Sequence, residues 1–154
     1  MKTSMKAMLI TLTLIGMLFF ILLGSTKNNE KSSTVINNNF VSLKVKKNTL
    51  TNSKAIFILV NQTDEVYEYG EGFEIEKEKN GKWYKLNPID NYAFHSIAYE
   101  LNAKEEKEIE FDWEFGYGSL PSGKYRIVTH VSSSLNRPTK PSDYVYIAAE
   151  FIIE

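Results

Sequence analysis

The sequence predicts an all-β fold, an antiparallel sandwich of seven to eight strands preceded by an N-terminal hydrophobic helix. Three observations predict it. From residue 40 to residue 154, apolar and polar residues alternate in short runs, the period of half-buried strands. Turn signals separate these runs at intervals of roughly 8–12 residues. No segment in that span sustains a helical period. A barrel is the alternative, since strand number alone does not separate the two architectures.

Residues 1–6 carry Lys2 and Lys6 and no acid, and residues 7–23 (AMLITLTLIGMLFFILL) carry no charge. A basic start before an apolar run marks a secretory signal, although this run exceeds the roughly 7–15 residues of a signal core. It falls just short of the ~20 residues that span a bilayer comfortably. Cleavage after Gly24 or Ser25 would put Leu22 or Leu23 in a pocket that needs a small side chain. Residues 1–25 are therefore read as a signal peptide or an uncleaved signal anchor, with Lys2 and Lys6 inside and the chain after Lys27 outside.

Residues 26–39 (TKNNEKSSTVINNN) hold only two large apolar side chains, Val35 and Ile36. Such a stretch buries too little surface to offset its ordering entropy, and it reads as a flexible polar linker. Residues 40–154 form the domain. Two of the 18 basic residues lie before residue 26, which leaves 16 against 19 acidic ones. A mildly acidic domain of this kind has no charge-driven affinity for nucleic acid. The absence of cysteine excludes disulfides, thiolate metal sites, a cysteine nucleophile and a lipidated N-terminal cysteine.

Within the domain, residues 40–47 place Val41, Leu43 and Val45 on one side and Ser42, Lys44 and Lys46 on the other. Residues 54–61 are apolar on both faces, as in a central strand. Residues 73–79 oppose Phe73 and Ile75 to Glu74, Glu76 and Glu78. Asn80-Gly81 then predicts a tight hairpin into residues 82–86, because both residues tolerate the positive φ of a type I′ turn. Residues 96–101 form a further strand, and residues 107–113 set Ile109, Phe111 and Trp113 against Glu108, Glu110 and Asp112. Leu120-Pro121-Ser122-Gly123 is a turn before the long strand 124–132, and residues 143–153 close the chain.

Several blocks then resemble a bacterial Ig-like domain. They are Tyr69-Gly70, Phe73-Glu74-Ile75-Glu76-Lys77, Gly81-Lys82-Trp83-Tyr84 and Tyr99-Glu100-Leu101. The later blocks are Ile109-Glu110-Phe111-Asp112-Trp113, Tyr117-Gly118-Ser119-Leu120, Gly123-Lys124-Tyr125-Arg126-Ile127 and Ala149-Glu150-Phe151. The resemblance covers residues 41–153. It implies an Ig-like sandwich in secreted or membrane-tethered proteins of low-GC Gram-positive bacteria, and it implies no reaction.

Three residues are expected to be structural: Trp83 filling the space between the sheets, Trp113 in the core, and Tyr125 as a tyrosine corner bonding nearby backbone. Six aromatics fall in or beside expected loops: Tyr67, Tyr69, Tyr92, Phe94, Phe115 and Tyr117. Clustered at one end they could stack on sugar rings or grip a protein partner. Folded back, they would instead cover the core.

No catalytic or metal-ligating constellation stands out, and no cofactor is implied. His95 and His130 have no metal-ligand spacing. A serine–histidine–aspartate set assembled from one of Ser132–Ser134 with His130 and Asp143 lacks any supporting motif. The rows Glu74, Glu76, Glu78 and Glu108, Glu110, Asp112 read as solvated outer faces rather than a glycosidase pair or calcium site. Asn61-Gln62-Thr63 reads as an ordinary turn. The expectation is a non-enzymatic extracellular Ig-like module, secreted or tethered to the membrane, binding a protein or cell-wall component. The alternative is a small β-sandwich protease inhibitor using residues 135–141 (LNRPTKP) as a stiff loop.

Overall fold

The computed structural model describes residues 40–89, 92–135 and 143–154, together with Ser32. The expected signal or anchor segment 1–25 and most of the loop 135–141 lie outside the described residues. Among the described residues, no helix is long and apolar enough to cross a membrane.

Among the described residues, nine strands and one short helical turn follow in order. They are β1 (Val41–Val45), β2 (Lys54–Asn61), β3 (Tyr67–Gly70), β4 (Glu74–Lys79), β5 (Lys82–Lys85), β6 (Ala98–Leu101) and β7 (Glu106–Asp112). After β7 come α1 (Glu114–Tyr117), β8 (Gly123–Ser133) and β9 (Val145–Ile153). A three-stranded sheet runs β1-β2-β7, and a six-stranded sheet is built around β8. All pairings are antiparallel. The two sheets pack face to face as an Ig-like sandwich.

The ninth strand arises from a break that alternation alone does not reveal. β3 and β4 both pair with the same side of β8, with Tyr69 opposite Val131 and Glu74 opposite Val128. Five residue steps on one chain thus oppose three on the other, so two extra residues bulge out between Gly70 and Phe73. The Thr129 hydroxyl donates to the Gly72 carbonyl across this bulge at 2.8 Å. Beyond the bulge the sheet forks: β4 continues to β5, and β3 to β6.

The core follows the expected inward residues. Val41, Leu43, Ala55, Phe57, Leu59 and Phe111 of the small sheet meet Ile75, Tyr125, Ile127, Val131, Ile147 and Phe151 of the large one. Aromatic rings carry much of the contact. Phe57 meets Phe111 edge-on at 5.2 Å, and Trp113 and Tyr125 stack on Phe151 at 5.4 and 5.9 Å. Trp113 is 0% exposed, and its indole donates to the Asn52 carbonyl at 2.8 Å. The Tyr125 hydroxyl donates to the Pro121 carbonyl at 2.7 Å, which ties the start of β8 to the turn before it. Asn80 and Gly81 both have positive φ, 54° and 75°, and join β4 to β5 in a two-residue hairpin.

Trp83 does not fill the space between the sheets. Its register opposite Glu78 puts it on the outward side of an edge strand, with the faces of Glu74, Glu76 and Glu78 rather than that of Ile75. There its ring lies under two cations, with the Arg126 guanidinium 4.6 Å and the Lys124 ammonium 5.4 Å from its centroid. The inter-sheet tryptophan is Trp113.

The row Glu74, Glu76, Glu78 is not uniformly solvated either. Glu76 is 0% exposed. Arg126, its register partner on β8, donates to Glu76 Oε2 through Nε at 2.6 Å and lies 2.6 Å from it through Nη2. Ser32 accepts from Arg126 at 2.7 Å and donates to Glu76 at 3.0 Å. The stretch expected to be a tether therefore has a fixed contact with the sheet at this residue.

Candidate functional site

The sandwich has a closed side and an open side. On the closed side β1 lies alongside β9. On the open side the edge strand of the large sheet, β6, faces the edge strand of the small sheet, β7, and the two are not paired. The Lys107 ammonium spans the gap at one end, donating to the Glu100 carbonyl at 3.2 Å while lying 5.6 Å from the Tyr69 ring. Beyond it runs an open groove of about 530 Å³.

Four segments line the groove, one of them β6 through Tyr99. The β3–β4 bulge supplies Tyr69, Glu71 and Phe73, the connection after β5 supplies Tyr92, Phe94 and His95, and the length of β7 from Glu108 to Asp112 forms the opposite wall. Tyr99 of β6 stacks on Tyr69 at 5.5 Å. The floor is a continuous aromatic lattice, with Phe73 5.0 Å from Phe111 and 4.9 Å from Phe94, and Phe94 4.9 Å from Tyr92.

The connection is pinned in place. The Ile89 N–H donates to the Gly116 carbonyl at 2.7 Å, and the Tyr92 ring rests on Gly116. A Cβ at Gly116 would come within 2.4 Å of that ring, so only glycine admits Tyr92 there. The turn α1 thus positions one wall of the groove.

The polar groups of the groove are mostly acidic. Glu71 accepts from the Tyr99 hydroxyl at 2.8 Å and lies 3.4 Å from His95. That hydrogen bond, ahead of the nearby Glu71 charge, raises the Tyr99 pKa. Burial and then the Asp112 charge raise that of Tyr92. Tyr117, behind the floor, is pushed up to about 12 chiefly by burial. All three phenols are therefore neutral hydrogen-bonding groups at neutral pH. His95 is 85% exposed at the side chain and has no serine, threonine or cysteine beside it in the groove lining. The arrangement offers an aromatic surface rimmed by carboxylates. Among the described residues, no group of three or more side chains is placed to hold a metal ion.

The six aromatics singled out by sequence do not gather at one end. Tyr69, Tyr92 and Phe94 line the groove. Tyr67 and Tyr69 are strand residues of β3 rather than loop residues, because β3 is the short first half of the broken strand. Tyr69 is only 9% exposed and belongs to the core. Tyr67 lies at the other end of β3, in a depression with Phe40 and Gln62. Tyr117 packs against Phe73 from behind at 6.1 Å. Phe115 stands alone on α1, 83% exposed.

The sequence reading missed Phe73, Tyr99, Glu71 and His95 as groove residues. The one available signal was Gly70-Glu71-Gly72, a break in an alternating run that marks a bulge. His130 lies elsewhere, on the outer face of β8, edge-on to Tyr144 at 4.4 Å. Asn61 is buried, with its amide donating to the Glu65 and Asn102 carbonyls, so it serves as a turn residue.

A family profile described as "Bacterial Ig-like domain" matches residues 37–151. No curated protein sequence matches the chain. Among solved structures, the archaellum periplasmic stator protein FlaG from Sulfolobus acidocaldarius is similar at 13% identity and a TM-score of 0.40. The alignment covers 73% of this chain and 100% of that one. WR4, a C. elegans MSP family member, is similar at 9% identity and a TM-score of 0.35, over 73% of this chain and 97% of that one.

Proposed function

Because the chain belongs to the bacterial Ig-like domain family, we propose that it is a non-enzymatic binding module on the outer side of a bacterial cell membrane, secreted or held by its N-terminal segment. Its ligand is a protein or a cell-wall component, and its host is a low-GC Gram-positive bacterium. The location rests on Lys2 and Lys6 before the uncharged run 7–23. The binding role rests on a single observation: an aromatic-floored groove on the open side of the sandwich. Aromatic surface with a few convergent polar groups is the usual make-up of a binding site.

Sedimentation of the full chain with isolated cell wall and with membranes tests both parts. The expected result is pelleting that saturates, survives moderate salt, and weakens in Phe94→Ala and Tyr99→Ala, with thermal melts of both variants checking that the fold is kept. Recovery of the full chain in the soluble cytosolic fraction would remove the location. Unchanged pelleting of both variants would remove the groove.

A further inference from the structure

The groove runs along a strand edge, and the ladder fixes what that edge presents. β7 pairs only with β2 among the described strands. The Glu105 carbonyl accepts from Asn61, and the Trp113 N–H donates to Ser53. In an antiparallel ladder successive residues turn their backbone groups to alternate sides. The odd-numbered residues of β7 therefore bond β2, and the N–H and C=O groups of Glu106, Glu108, Glu110 and Asp112 face the open side.

The side chains alternate in step. Ile109 and Phe111 point inward, and Phe111 forms part of the groove floor. Glu108 and Glu110 point outward, where Lys46 and Lys54 reach them from the β1–β2 side at 2.6 and 3.6 Å. β1, two strands away, shows which pattern suits this face, since Val41, Leu43 and Val45 turn inward and Lys44 and Lys46 turn out toward Glu106 and Glu108. Among the described residues, the groove lining holds Glu71, Glu108, Glu110 and Asp112 and no lysine or arginine.

Resting on the binding role just proposed, we infer that the open edge of β7 takes up an extended basic segment of a partner protein as a fourth strand of the small sheet. Its backbone bonds Glu108 and Glu110. Its alternate apolar side chains sit on Phe73, Phe94 and Phe111, and its lysines or arginines meet the outward carboxylates as cross-strand pairs.

The test titrates the full chain with a synthetic peptide of alternating lysine and valine, as long as β7. Its controls are the glutamate–valine counterpart and the same basic peptide N-methylated at alternate residues on its pairing edge. Hydrogen exchange is followed at the amides of β7. The inference predicts binding of the basic peptide, protection of the Glu108 and Glu110 amides, and a loss of about tenfold or more on N-methylation. Equal binding of the N-methylated peptide would overturn strand addition in favour of charge alone. Amides of Glu108 and Glu110 already protected in the free chain, more so at higher concentration, would assign the edge to a second copy and overturn it too. No peptide binding, with wall sedimentation still sensitive to Phe94→Ala, would overturn this inference while leaving the binding role standing. Loss of both would remove the two together.

Discussion

On the outer face of the small sheet, Glu106, Glu108 and Glu110 meet Lys44, Lys46 and Lys54 at 3.6, 2.6 and 3.6 Å, and every partner is largely in water. On the outer face of the large sheet, Glu76 meets Arg126 at 2.6 Å with no exposure at all. Both glutamate rows come from the same alternating pattern. They differ in what crosses them. Lysine stems lie over Ile56 and Ile58 and keep their ammonium groups in solvent. On the large sheet the planar guanidinium of Arg126 is held between the Trp83 ring and the Glu76 carboxylate, and Ser32 bonds to both charged groups. Alternation therefore decides which way a side chain points. Its solvation is decided by partners distant in sequence.

The two tryptophans give the largest contrast. Trp113→Ala leaves a cavity beside Phe151 and is expected to cost roughly 4 kcal/mol. Trp83→Ala loses half-buried stacking on cations at the outer face and is expected to cost about 1 kcal/mol. Denaturant unfolding of the two variants checks the difference, and similar losses would place both rings in one environment.

The carboxylates come next. Glu76→Ala strands the Arg126 charge, which is mostly buried, and is expected to cost roughly 3 kcal/mol. Glu108→Ala removes an exposed pair and is expected to cost under about 1 kcal/mol. A second comparison sharpens this one: Ser32→Ala should lower stability less when Glu76 is absent, since only the bond from Arg126 then remains, and a double-mutant cycle measures that coupling.

The smallest effect is on pH dependence. Burial on the outer face lowers the pKa of His130, partly opposed by the Glu74 charge. The unfolded chain then binds the proton more readily than the folded one below the ordinary histidine value of 6.5. Stability from this site is therefore full above that value and is lost as pH falls below it toward the lowered folded value. Thermal melts of the parent chain and His130→Gln between neutral and mildly acidic pH should diverge in that direction. Parallel curves would place His130 in solvent.

These contrasts also mark what the sequence made legible. Strand positions, the Asn80-Gly81 hairpin, inward Trp113 and the bond from Tyr125 follow from local pattern, because each depends on neighbours a few residues away. Trp83 misled, since its place depends on whether its strand is central or at an edge, and register with Glu78 settles that. The broken strand at Gly70–Phe73 made Tyr67 and Tyr69 look like loop residues. The groove joins a bulge, a connection and an edge strand whose meeting is a matter of topology, so only Tyr69, Tyr92 and Phe94 were found in advance. Phe115 and Tyr67 fit the same composition and lie elsewhere.

The most direct test of the open-side groove is hydrogen exchange of the full chain with and without the cell-wall or membrane fraction that retains it. The account predicts added protection confined to residues 69–73, 92–99 and 106–112. Protection instead across residues 124–130 and 146–152, on the outer face of the large sheet, would contradict it.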